Sequence, residues 1–162
     1  NSQKNLRHII VPHEIDRKII KNLTENIKSD YVFYSEIQEN AEINENILII
    51  DVFGLLKKLY KYSDIAYIGG GFGNGVHNTL EPAIHKNLLL FGPKHINFPE
   101  TLFFIKHKIG HVIKNQSSFD EKVKLLLNYS DKKTTNKRIK SFFNQKTQNL
   151  NTIVKQLTYL KD

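Results

Sequence analysis

IAYIGGGFGNGVHNTLE (65–81) decides the fold: a β-rich apolar run breaks into a glycine cluster, and a helix-forming segment follows. Five of the chain's eight glycines fall between Gly69 and Gly75. Without a Cβ, glycine adopts positive φ and lets backbone N–H groups approach an anion closely. A helix beginning near Asn78 or Thr79 adds unpaired N–H groups and the positive end of its dipole, a combination that suits a phosphate. In a parallel α/β sheet, ligands bind beyond the carboxyl ends of the strands, which is where this cluster falls.

Outward from the cluster, short β-rich runs alternate with helical patterns, the signature of parallel strands joined by crossover helices. HIIVP (8–12) reads as a first strand, YVFYS (31–35) as a second and ILIID (47–51) as a third, buried on both faces by its continuous apolar character. IAYIG (65–69), LLLFG (88–92) and GHVIK (110–114) complete a set of strands. Ile15, Ile19, Ile20, Leu23 and Ile27 fall at near-helical spacing, and Leu55, Leu56, Leu59 and Tyr60 mark a short helix. A further helix is expected over 98–107. Ser118 reads as an N-cap with Glu121 completing a capping box ahead of Val123, Leu126 and Leu127. Ile139, Phe142 and Phe143, then Leu150, Ile153, Val154, Leu157 and Leu160, describe one or two amphipathic helices. The expected architecture is one α/β domain over 1–162: a Rossmann-like parallel sheet with helices on both faces and a helical tail over 130–162.

The chain has 162 residues, 40% hydrophobic and 25% charged, the balance of a folded globular domain. No apolar run approaches the ~20 residues of a membrane span. A start at Asn1, the absence of Met and an early strand-like run read as a fragment of a longer protein. With no Cys there is no disulfide framework and no thiolate metal site. The formal charge of +8 comes mostly from Lys, is scattered, and forms no block of five or more. It speaks for weak attraction to an anionic membrane face or a phosphorylated substrate rather than for a nucleic-acid surface.

Two common phosphate motifs fail on spacing. G-x-G-x-x-G started at Gly69 ends on Asn74, and started at Gly71 it ends on Val76. A P-loop needs Lys and Ser/Thr after its last glycine, but Gly75 is followed by Val76 and His77. Glu81, in the first turn of the expected helix, places a carboxylate where it can accept two hydrogen bonds from a ribose diol; it also serves as a complement to the helix dipole. His77 and Asn78 sit at the same helix mouth, Asn78 reading equally well as the N-cap.

At these residues the sequence resembles the C-terminal domain of 3-deoxy-D-manno-octulosonic acid (Kdo) transferases. The resemblance is carried by GGGFGNGVHNTLEPA (69–83) and FGPKHINFPE (91–100), and extends to VPHEI (11–15), YSE (34–36), IIDVFGLLKKLYKYSDIAYIGGG (49–71) and FFNQKTQNLNTIVKQL (142–157). It implies the C-terminal half of a GT-B glycosyltransferase that binds the donor CMP-Kdo without a cofactor or metal. The implied reaction is inverting transfer to a lipid A precursor at the cytoplasmic face of the bacterial inner membrane, with acceptor site and general base in an N-terminal domain. By the same resemblance Glu81 binds the ribose, while Asn78 and the 69–75 backbone, with Gly70, Gly71, Gly73 and Gly75, hold the phosphate; His77 is expected beside the donor from its place at the helix mouth. His13 faces the donor near its phosphate, the turn from Asp51 to Gly54 lies near the cytosine with Ser35 and Glu36 nearby, and Lys94 and Asn97 reach the sugar. One departure stands out: the family's Gly-Pro before the fifth strand is replaced by Lys86, Asn87 and Leu88. Two other readings are a UDP-sugar enzyme of the same architecture, either a glycosyltransferase or an epimerase, and a non-catalytic domain that docks on lipid or RNA.

Overall fold

A computed structural model of the chain describes residues 6–128 and 132–159. It divides into two compact units, Asn1–Lys58 and Leu59–Asp162. Each contains a three-stranded, wholly parallel sheet.

In the first unit, strands β1 (His8–Ile10) and β2 (Tyr31–Phe33) flank β3 (Ile47–Ile49). The central position of β3 explains its unbroken apolar character: Ile49 and Ile50 are fully buried, while Ile47 and Leu48 are half-buried. Helix α1 (Arg17–Glu25) starts where the Asp16 side chain accepts from the Lys18 N–H at 2.7 Å. Its apolar positions are thinly covered, with Ile19 left exposed. The second strand stops two residues short of the expected run. Tyr34–Glu36 instead close a 3₁₀ turn, the Ile37 N–H bonding the Tyr34 carbonyl.

Helix α2 (Leu56–Leu59) leads through a 3₁₀ turn to the second unit, where β4 (Ile65–Ile68), β5 (Leu88–Phe91) and β6 (Gly110–Val112) lie in chain order. Helices α3 (Leu80–Ile84) and α4 (Pro99–Lys106) connect them. All four β5 residues are buried, since alternate side chains enter two separate cores. Leu89 and Phe91, beside Ala66 and Ile68, pack with Ala83, Phe104, Ile139 and Phe142. Leu88 and Leu90 pack with Ile113 and Leu126, backed by Phe119 and Val123. Helices therefore cover both faces of this sheet. Burying each of the leucine, isoleucine, valine and phenylalanine side chains contributes up to about 1.5–3 kcal/mol.

Helix α5 (Gln116–Leu127) corrects the expected start. Asn115 is the N-cap, and its side chain accepts from the Ser118 N–H at 2.9 Å. Ser118 is the third helical residue, its hydroxyl accepting from the Asn115 N–H at 3.0 Å. Asn115 outcompetes Ser118 because the capping box closes one turn earlier; Glu121 is an exposed residue beside Lys122. Helix α6 (Lys132–Tyr159) is a single helix. Its first half belongs to the core: the Phe142 ring meets Phe103 and Phe104 at a tilt, with centroids 4.6 and 5.2 Å away, and Arg138 donates to the carbonyl of His107, the C-cap of α4, at 3.1 Å. The side chains of Leu150, Ile153, Val154, Leu157 and Leu160 lie outside the described residues.

The departure at Lys86–Leu88 has a structural consequence. Lys86 takes the left-handed conformation, φ +68°, that a glycine would adopt without strain after α3. Its N–H bonds the Ala83 carbonyl at 2.8 Å, and the Asn87 N–H bonds Pro82 at 3.1 Å. Asn87, fully buried, donates through its amide to the carbonyls of Tyr60 (2.9 Å) and Ser63 (2.8 Å) and accepts from the Ser63 hydroxyl at 2.7 Å. Urea unfolding of Lys86→Gly is expected to show a gain of about 0.5–1 kcal/mol. Asn87→Ala is expected to lose about 1–3 kcal/mol, because the Ser63 carbonyl loses its amide donor while the Tyr60 carbonyl keeps only the Ser63 groups.

Candidate functional site

The loop after β4 closes on itself. The Gly70 carbonyl accepts from the N–H groups of Gly73 (2.8 Å) and Gly75 (3.2 Å), and the Gly69 carbonyl accepts from His77 at 3.0 Å. Gly70 has φ +83°, and a Cβ there would stand 2.2 Å from the Gly75 oxygen and 2.6 Å from the His77 ring. No side chain fits. These closures engage the amides of Gly73, Gly75 and His77, so the set left for an anion is smaller than the glycine count implies.

A second constraint joins this loop to the one after β5. A Cβ on Gly71 would lie 2.6 Å from the Gly92 nitrogen, and one on Gly92 would lie 2.5 Å from the Gly71 carbonyl carbon. The two backbones meet directly. Lys94 then donates to the Gly71 carbonyl at 2.9 Å and accepts from the Val76 N–H at 3.1 Å. This places Lys94, with its exposed side chain, beside the glycine turn, and Asn97 is exposed on the same loop. The loop is braced by the Thr101 hydroxyl, 2.6 Å from the Phe98 carbonyl, 3.0 Å from the His95 carbonyl and 3.1 Å from His95 Nδ1. The Phe98 ring packs where a Cβ on Gly75 would come within 3.0 Å. Gly92, Phe98 and Thr101 were not singled out from sequence, although Gly92 closes the LLLFG run.

At the mouth of α3 the helix starts at Leu80 with Thr79 in the N-cap position, but the Thr79 hydroxyl does not cap. It lies 3.3 Å from the Glu100 carboxylate. Asn78 Oδ1 does the capping, accepting from Leu80 at 2.9 Å and Glu81 at 3.3 Å. With that oxygen committed, the group Asn78 offers a ligand is its Nδ2 donor. Glu81 is half-buried in the first turn. Burial, and then the Glu81 charge, push the Tyr60 phenol above its ordinary 10.0, which sets Tyr60 close to that carboxylate. No sequence spacing links the two. His77 is exposed, its ring against Gly69 and Gly70.

In the first unit the residues named from sequence also follow strand ends. The β2–β3 register pairs Phe33 with Ile49, and two residues farther along Ser35 meets Asp51. The Ser35 N–H and hydroxyl donate to the two Asp51 oxygens at 3.0 and 2.5 Å. Burial raises the Asp51 carboxyl, but the Ser35 hydroxyl and amide outweigh it and hold it below its ordinary 3.8. Gly54 turns the chain at φ +86°. His13, exposed just past β1, lines a shallow apolar groove of about 410 Å³ with Ile10, Pro12, Ile19 and Leu23. Among the described residues no group of three His, Asp or Glu could hold a metal ion, and no helix is long and apolar enough to cross a membrane.

No protein-family model matches the chain. It is 36% identical over 146 residues to a bifunctional glycosyltransferase/methyltransferase of Fusobacterium nucleatum, a match covering 88% of this chain and 22% of that protein. It is 32% identical over 124 residues to the Kdo transferase of Aquifex aeolicus, covering 75% of this chain and 34% of that enzyme. Against the Kdo transferase of Chlamydophila psittaci it is 34% identical over 94 residues, 56% of this chain and 21% of the relative. The matched part of the chain thus spans about a third or less of the length of these relatives. The crystal structure of the C-terminal CMP-Kdo binding domain of WaaA from Acinetobacter baumannii matches with a TM-score of 0.64 at 22% identity, over 82% of this chain and 71% of that domain. Sequence similarity to Kdo transferases and the α/β fold of that domain are both present.

Two outcomes follow from the geometry. Gly71→Ala is expected to destabilise the second unit by about 1–3 kcal/mol in urea unfolding, because the new methyl meets backbone that cannot yield. For Asp51, the folded state binds its proton less readily than the unfolded chain. Its stabilisation is therefore complete above 3.8 and fades as pH falls through the lowered value. An NMR titration of Ser35→Ala should show the Asp51 carboxyl titrating at higher pH than in the parent.

Proposed function

We propose that this chain is the donor-binding part of a Kdo transferase, taking CMP-Kdo at the turn between β4 and α3. The proposal rests on similarity to transferases named for Kdo, joined to one geometric observation. The glycine turn, locked to the β5 loop, stands at the carboxyl ends of parallel strands with the Glu81 carboxylate in the first turn of the next helix.

In this reading Glu81 accepts hydrogen bonds from the ribose hydroxyls. Asn78 Nδ2, His77, the Lys94 ammonium and the turn's remaining amides face the phosphate. As the sugar–phosphate bond breaks, the departing CMP gains negative charge. Donors already held in place then stabilise the transition state more than the ground state. Rigidity is what the Gly71–Gly92 contact supplies, since donors that need not reorganise are the effective ones. The proposed reaction is inverting transfer to a lipid A precursor at the cytoplasmic face of the inner membrane, with the acceptor and general base held by a part of the enzyme beyond this chain. The net charge of +8 favours approach to an anionic membrane surface.

Calorimetric titration with CMP, UMP and UDP tests the proposal. CMP is expected to bind in preference to both, and Glu81→Ala to weaken it by about ten-fold or more, the effect of losing hydrogen bonds to a charged group. A preference for UDP, or CMP binding indifferent to Glu81→Ala, would overturn it.

A further inference from the structure

The parallel sheet of the second unit has another end. At the amino ends of β4 and β5, away from the glycine turn, a cavity of about 210 Å³ opens between three segments. One segment, entering β4, contributes Lys61, Ser63 and Asp64; another, leaving α3, contributes His85 and Lys86. The first turns of α6 close the third side with Thr135 and Asn136. Each strand has four residues, so about 13 Å of sheet separates this cavity from the loops described above.

We propose that this cavity binds a small phosphate-type anion, as a site separate from the donor turn. Two lysines and a histidine line it against one carboxylate, Asp64, so the lining is net positive. At about 210 Å³ it is smaller than the roughly 300–1,000 Å³ typical of pockets for organic ligands. That size suits a phosphate group and not a nucleotide.

Its walls are preorganised. Asn87, fully buried, ties the turn carrying Lys86 to the carbonyls of Tyr60 and Ser63, which holds the two cationic segments in register. Thr135 on the third wall is only 2% exposed. Lys86 itself stands at φ +68°, where a side chain is strained and glycine is not. Such strain clusters at ligand sites, although Asn40 and Lys108 carry it in this chain as well. Complementing the dipole of α3 is a weaker account, because that helix has five residues. Lys61 lines the cavity, and its ammonium rests 4.7 Å from the centre of the exposed Tyr62 ring, which an anion would draw it away from.

The proposal is tested on the whole chain by NMR, titrating inorganic phosphate into ¹⁵N-labelled protein. Saturable shifts are expected at the amides of 61–64, 85–88 and 135–136. Lys61→Ala and Lys86→Gly should each weaken them by about ten-fold and leave CMP binding unchanged. Lys86→Gly relieves backbone strain, so a loss of phosphate binding in that variant is not a loss of fold. Co-sedimentation with vesicles of phosphatidylcholine and phosphatidic acid separates two sources of the anion. Vesicle binding abolished by the double variant, without saturable binding of soluble phosphate, assigns the site to a lipid headgroup; saturable soluble binding assigns it to a free phosphate. Shifts spread linearly over the basic surface, or shifts unaltered in both variants, would overturn the proposal.

Discussion

The meeting of Gly71 with Gly92 is the constraint on which the candidate site depends. Two loops leave adjacent parallel strands and touch backbone to backbone, at distances where a Cβ on either would stand 2.5–2.6 Å from the other chain segment. Lys94 bonds Gly71 and Val76 through its backbone across the same contact. Once these bonds form, the glycine turn is fixed relative to the mouth of α3, and with it the positions of His77, Asn78 and Glu81. A binding surface made of backbone gains its precision in this way, because it has no rotamers to select.

Beneath these loops, β5 supplies the anchor. Its four buried residues divide between two cores, one closed by α3, α4 and α6 and the other by α5. Because both faces are filled, the strand cannot shift register without moving leucines and a phenylalanine from one core to the other. The aromatic contacts of Phe142 and the Arg138 bond to His107 make the first half of α6 part of this arrangement. The first unit is more lightly built. Its central strand is well buried only at Ile49, with Ile50 buried just past its end, and the polar pairing of Ser35 with Asp51 sits beyond the strand ends.

Charge is distributed unevenly between the two ends of the β4–β6 sheet. The glycine-turn end mixes backbone groups and Lys94 with acidic side chains, among them Glu100 and the half-buried Glu81 whose field reaches Tyr60. The opposite end gathers two lysines, a histidine and one carboxylate around a small cavity. A net charge of +8 spread along a sequence says nothing of such a division. The division arises because parallel strands bring all their amino ends to one edge and all their carboxyl ends to the other.

Much of this was legible in the residues alone. Alternating apolar runs and helical spacings gave the parallel α/β class, and all six strands lie within their expected runs. The glycine cluster located the turn, because glycines between a strand and a helix permit the positive φ and close backbone approach that such a turn needs. The features that escaped depend on partners distant in sequence or on competition between neighbours. Gly92 matters only because Gly71 arrives opposite it. Tyr60 matters only because α3 brings Glu81 near, and Lys86 reveals its strain only as a φ angle. Asn115 displaced Ser118 as the helix cap because both residues can cap and the better box closes one turn earlier. Periodicity reports which face of an element is buried, whereas the contacts that hold a binding turn rigid are set by how separate elements meet in space.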